Sequence, residues 1–187
     1  MQSIGKAFQR GFSLLEISVA MAVILLLAIT GIPAIGHYVI ESKVPKVGEG
    51  LARFIVQAKV NAMGVDPAPY RGIDTALFAH SVRDSSVFSV LGTGAGMRIL
   101  HGLGDKGEVR VAERVGGGAF AITLTRVNDA ACPSIASVMQ RVADTISIEA
   151  EGRAAKVVKA EQVPFNAMAA RAHCGRGNSN TFIFGIG

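Results

Sequence analysis

No charged residue occurs between Ile17 and Ile40, ISVAMAVILLLAITGIPAIGHYVI. Ser18, Thr30, His37 and Tyr38 are its only polar side chains, so the run is apolar on all sides rather than along one stripe. As a helix it would rise about 36 Å, enough to cross the hydrocarbon core of a bilayer. After Ile40 the pattern changes. Val44, Val47, Leu51, Phe54, Ala58 and Ala62 recur at spacings of three and four, with Lys43, Lys46, Glu49, Arg53 and Lys59 off that stripe. This is an amphipathic helix. Pro45, Gly48 and Gly50 weaken its first turns. The two patterns together predict one long helix from about Phe12 to Met63, apolar all round in its first half and one-faced in its second.

Gly64-Val65-Asp66-Pro67-Ala68-Pro69 ends that helix. Residues 64–118 read as glycine-rich and irregular, with short strands at 87–91 and 108–112 and a turn at Gly116-Gly117-Gly118. Residues 119–127 alternate, with Phe120, Ile122 and Leu124 on one face. Cys132-Pro133 opens a helix, because proline suits a first turn, and Ile135, Val138, Met139 and Val142 give it an apolar side. Strands follow at 145–150 and 154–159 around Glu151-Gly152, then a short helix from Phe165 to Arg171. A last strand at 181–186 alternates Phe182, Phe184 and Ile186. A long helix followed by an antiparallel sheet with small helices is an α+β architecture.

Charge gives the first half of the long helix a direction. The segment MQSIGKAFQRG carries Lys6 and Arg10 and no acid, which keeps this end in the cytoplasm and exports the rest. Cys132 and Cys174 then lie where a disulfide persists. Glu16 stands at the head of the apolar run; a carboxylate there is costly without a partner, unless it simply reaches the headgroup layer. Ala34-Ile35-Gly36 offers an alternative, a signal-peptidase site. The net charge of +5 is scattered rather than clustered, which argues against specific nucleic-acid binding.

Gly11-Phe12-Ser13-Leu14-Leu15-Glu16, between a short basic leader and an apolar helix, resembles the processing motif of type IV pilins. The resemblance implies a leader at 1–11, a transmembrane and assembly segment at 12–40, and a globular pilin head at 41–187. It implies that a prepilin peptidase cuts between Gly11 and Phe12, after which Phe12 is N-methylated. Glu16 would meet the new amine of a neighbouring subunit, two buried charges being tolerable as a pair and not singly. Pro33 matches the helix-interrupting proline of the family, and residues 30–36, with Gly31 and Gly36 nearby, are the weakest part of the helix. A simple transmembrane kink is the alternative reading of Pro33. The order of C-terminal elements is similar to the type IVb branch, in which two cysteines are linked; this pairs Cys132 with Cys174. The short leader and a Phe at the first mature position depart from that branch and are more typical of type IVa.

The implied function is structural and not enzymatic: a filament subunit that polymerises with itself, for adhesion, motility or cell–cell contact and DNA transfer. The implied partners are the prepilin peptidase, an inner-membrane platform protein and an assembly ATPase. The precursor would sit in the inner membrane and the product in an extracellular pilus. A minor pilin or a pseudopilin of type II secretion is one competing reading; a soluble exported binding protein is another. No cofactor and no metal are expected. His37, His80, His101 and His173 show no ligand spacing. Gly92-Thr93-Gly94-Ala95-Gly96 follows a predicted strand, but Met97 takes the place of the third glycine of a nucleotide-binding loop. Those glycines are expected to serve turns.

Overall fold

The computed structural model describes residues 13–64 and 66–187. The chain divides into two compact units, Met1–Gly36 and His37–Gly187.

The described part of the first unit is the start of helix α1, which runs Leu14–Asn61. No side chain described in this unit is buried, and leucines, isoleucines and valines are exposed on every side. The few hydroxyls turn back on the helix: Ser18 Oγ donates to the Leu15 carbonyl at 2.8 Å and Thr30 Oγ1 to that of Leu26 at 3.1 Å. Such a helix satisfies its own polar groups and leaves an apolar surface for lipid or other helices to cover. The helical backbone continues through residues 30–36, the stretch expected to be weakest.

In the second unit α1 buries Val44, Val47, Leu51, Phe54 and Ile55. The expected stripe is therefore the packed one, with Ile55 added beside it. Helix α2 is Thr75–Val82; strands β1 (Ser89–Leu91), β2 (Arg98–Leu100) and β3 (Glu108–Arg114) follow. Then come β4 (Ala119–Val127), α3 (Cys132–Met139), β5 (Thr145–Ala150), β6 (Lys156–Lys159), α4 (Ala167–His173) and β7 (Asn180–Ile186). The seven strands form one antiparallel sheet in the order β1-β2-β3-β4-β7-β5-β6. The last strand thus lies between β4 and β5, with Phe184 opposite both Ile122 and Ile146.

Alternation drives this arrangement. Phe120, Ile122 and Leu124 of β4, Phe182, Phe184 and Ile186 of β7, and Ile146 and Ile148 of β5 are all buried. Removing side chains of this size from water contributes roughly 1.5–3 kcal/mol each. Phe54 of α1 meets Phe78 and Phe120 edge-on, at centroid distances of 5.1 and 6.1 Å. Two glycines let α1 come close. A Cβ at Gly48 would stand 2.4 Å from Val138 Cγ1 of α3, and one at Gly50 would stand 2.6 Å from the Phe88 ring. The glycines that weaken the helix as a sequence are therefore where it packs.

The connection Leu100–Glu108 is organised by a buried histidine. His101 is fully buried; its Nε2–H donates to the Thr125 carbonyl at 2.8 Å, and Nδ1 accepts from the Leu103 amide at 3.0 Å. Burial pushes its pKa below the ordinary 6.5, against the opposing effect of the Thr125 bond.

Candidate assembly site

Helix α1 starts with a local capping pattern. The Ile17 amide donates to the Ser13 carbonyl at 3.1 Å, and the Leu15 amide to Ser13 Oγ at 3.3 Å. Ser13-Leu14-Leu15-Glu16 has the S-x-x-E spacing of a capping box, which puts Glu16 in the first turn. The helix dipole favours a carboxylate there. The Ser-x-x-Glu spacing and the dipole are thus a local reason for a carboxylate at position 16, beside its reading as an intramembrane charge.

Gly11 and Phe12 lie outside the described residues. Glu16 is exposed in the first unit. Pro33 lies within the span of α1, about 25 Å further along the same helix, so the two do not form one site. The cysteines are brought together: Cys132 at the start of α3 and Cys174 just after α4 form a disulfide, with a Cα–Cα distance of 6.1 Å across a sequence separation of 42. Closing a loop of that length contributes about 3–4 kcal/mol in the chain-entropy model.

The loop after Cys174 is tied into the sheet by Asn180, which is fully buried. Its Nδ2 donates to the carbonyls of Val127 and Gly175, both at 3.0 Å, and its Oδ1 accepts from the Gly175 amide at 2.7 Å. Every polar atom of the amide is engaged, which makes a buried Asn tolerable. The turn between β5 and β6 is laced to α4: Arg153 Nη1 donates to the Ala172 carbonyl at 3.3 Å, and His173 Nε2 meets that of Ala154 at 3.0 Å. A third tie holds the end of the head. Lys59 of α1 pairs with Asp144 at 3.0 Å, and Asp144 Oδ2 also accepts from the Gly187 amide at 2.9 Å. None of these polar ties carries a sequence signal, because each depends on chain segments far apart.

A second apolar row runs along α1 in the head. Val56 and Val60 are exposed, off the buried stripe. Among the described residues, no group of three or more His, Cys, Asp or Glu is placed to hold a metal ion.

Two family models match the chain. The model of the prokaryotic N-terminal methylation motif covers residues 6–32, and that of the PilS N-terminal family covers residues 105–187. Both matches agree with the resemblance to type IV pilins, one at each end of the chain. The N-terminal methylation motif, followed by the apolar helix, fits a membrane-anchored precursor and then a pilus on the cell surface. Among solved structures, TcpA, a type IV pilin from Vibrio cholerae El Tor biotype, is similar at 14% identity. That match covers 78% of this chain and 99% of TcpA, with a TM-score of 0.45. No curated protein matches the chain in sequence.

Proposed function

We propose that this pilin is the structural subunit of a type IV pilus of the type IVb kind, a major pilin rather than a pseudopilin. Prepilin peptidase removes residues 1–11, leaving methylated Phe12 as the first residue. Residues 12–40 hold the precursor in the inner membrane, and residues 41–187 form the head that covers the fibre. A platform protein and a cytoplasmic ATPase extract the subunits, which polymerise into an extracellular filament used for adhesion, motility or cell–cell contact.

The observation that carries this reading is the helix of residues 14–32, apolar and with side chains exposed on every side, with one carboxylate in its first turn. Transfer from lipid to a bundle of such helices gains little from hydrophobicity, since both surroundings are apolar. Register must then come from packing and from polar pairs. Glu16 and the amine of Phe12 on a neighbour supply the polar pair. The exposed row of Val56 and Val60 supplies a further surface for packing. The cysteine pair, carried within the head, favours a pilus subunit.

Glutamine at position 16 separates the two uses of this residue. It serves a capping box as well as glutamate does, but it carries no charge. The Glu16→Gln protein should be processed and should remain in the membrane, with few fibres on the cell. Fibres in normal number, counted by electron microscopy, would leave Glu16 as a helix cap only and end the pairing argument.

A further inference from the structure

Gly94 and Gly96 border an open cleft of about 580 Å³ in the head. The cleft lies on the rim of the sheet. Strand β2 is in register with β3 only at Ile99–Val109 and Leu100–Glu108. Further along β3, a helix residue takes over the partnering: Thr75 Oγ1 accepts from the Val111 amide at 2.9 Å and donates to its carbonyl at 3.2 Å. Where the partner changes from β2 to α2 there is a notch, lined by Asp74, Arg98, Glu108 and Arg110 together with Gly94 and Gly96.

The donors and acceptors of this lining are unequal. Arg98 Nε donates to Glu108 Oε1 at 2.7 Å, and Arg110 Nη2 donates to Oε2 at 3.3 Å. Arg98 is the main cause that holds the Glu108 carboxyl below its ordinary range, so it remains an ionised acceptor with both oxygens engaged. Asp74 Oδ1 is taken by the Leu77 amide at 2.8 Å, capping α2. Each guanidinium has five N–H groups and uses only part of them. The side chains of Arg98 and Arg110 are 54% and 70% exposed, whereas that of Glu108 is 15% exposed. The positive end of α2 adds to the same wall. The cleft thus offers spare guanidinium donors, while both oxygens of Glu108 and one oxygen of Asp74 are occupied as acceptors. It suits a ligand that brings acceptors, and a carboxylate is the group that a planar guanidinium meets with two parallel bonds.

Size and walls narrow the class. The volume is in the range of small-molecule sites and far exceeds a bare inorganic anion. A Cβ at Gly94 or Gly96 would meet nothing within 4 Å, so the glycine wall is low and its backbone is open to hydroxyl groups. Arg98 and Arg110 balance Asp74 and Glu108 in charge, so the site has no excess to draw a polyanion. We propose that this cleft binds an acidic monosaccharide unit, its carboxylate held by Arg98 and Arg110 and its hydroxyls set against the Gly94–Gly96 backbone. Among the described residues no aromatic ring lines the cleft to stack on a sugar face, so the affinity of one site is weak and display along a fibre would multiply it. The site itself lies within the head and does not rest on how the pilin polymerises.

Saturation-transfer NMR on the full-length protein in detergent tests this, with glucuronate, N-acetylneuraminate, glucose and inorganic phosphate as probes. The expected result is binding of at least one of the two sugar acids about tenfold tighter than glucose, unaffected by an equal concentration of phosphate. Arg110→Ala should weaken it about tenfold, Arg110→Lys less, and Arg176→Ala not at all. The exposure of Arg110 lets its variants fold, which a thermal melt checks. Equal binding of glucose and both acids, displacement by phosphate, no binding of either acid, or unchanged binding in a folded Arg110→Ala protein would each overturn the assignment.

Discussion

Val115 is a β-branched residue at φ +53°, 85% exposed at the tip of the β3–β4 hairpin. Its Cβ crowds the backbone in this left-handed region, at a cost on the order of 1–3 kcal/mol. Asparagine tolerates the same conformation. Val115→Asn should therefore raise stability by about 1 kcal/mol, read from the midpoint of urea unfolding. His101 makes a different prediction. Its folded pKa is depressed, so the unfolded chain binds the proton more readily. Stability is complete above the unfolded pKa of about 6.5 and falls as pH drops from there towards the folded value. Protonation would also remove the acceptor that Leu103 uses. Unfolding free energies at pH 7.5 and pH 5 should differ more for the wild type than for His101→Gln. Equal differences would assign the acid sensitivity to carboxylates elsewhere.

At the scale of elements, α1 and α3 approach through Gly48, where a Cβ would stand 2.4 Å from Val138 Cγ1. Gly48→Ala improves helix propensity by about 1 kcal/mol, but overpacking costs roughly 1–3 kcal/mol. The net effect should be destabilising by about 1 kcal/mol, and Val138→Ala in the same chain should relieve it. Additive effects in that double-mutant cycle would contradict the contact. Elements with a strong period or a stop signal were legible in the sequence. The expected strands 119–127 and 145–150 and the helix opened by Cys132 are the observed β4, β5 and α3. Helix α2 was missed because its eight residues sit in a glycine-rich stretch; its signal was Asp74, whose side chain caps the Leu77 amide. Strand β2, three residues long, is too short to show alternation. Helix α4 starts at Ala167 rather than Phe165 because Asn166 caps it, bonding the Ala169 amide. Strand β6 starts at Lys156 rather than 154, after a turn closed by the Arg153 amide on the Ala150 carbonyl. Glu16 stood out in the sequence because charge is rare in an apolar run. The Arg98–Glu108–Arg110 cleft did not, because strand pairing and a helix start assemble it.

For the whole molecule, the sheet order makes the final strand central, so the head cannot be completed until β7 inserts between β4 and β5. The disulfide closes the segment that precedes that strand. Replacing both cysteines by alanine should cost roughly 2–5 kcal/mol in the head while leaving the processing motif intact, so cleaved but poorly assembled subunits are expected. The central claim concerns what the cell makes of the full chain, and it is tested most directly by the intact mass and N-terminal sequence of protein sheared from the cell surface. The account predicts a chain that begins at methylated Phe12 and is two hydrogens lighter than the reduced form, from the Cys132–Cys174 bond. A chain beginning at His37 would contradict it, making the protein a secreted soluble one in which Glu16 has no part.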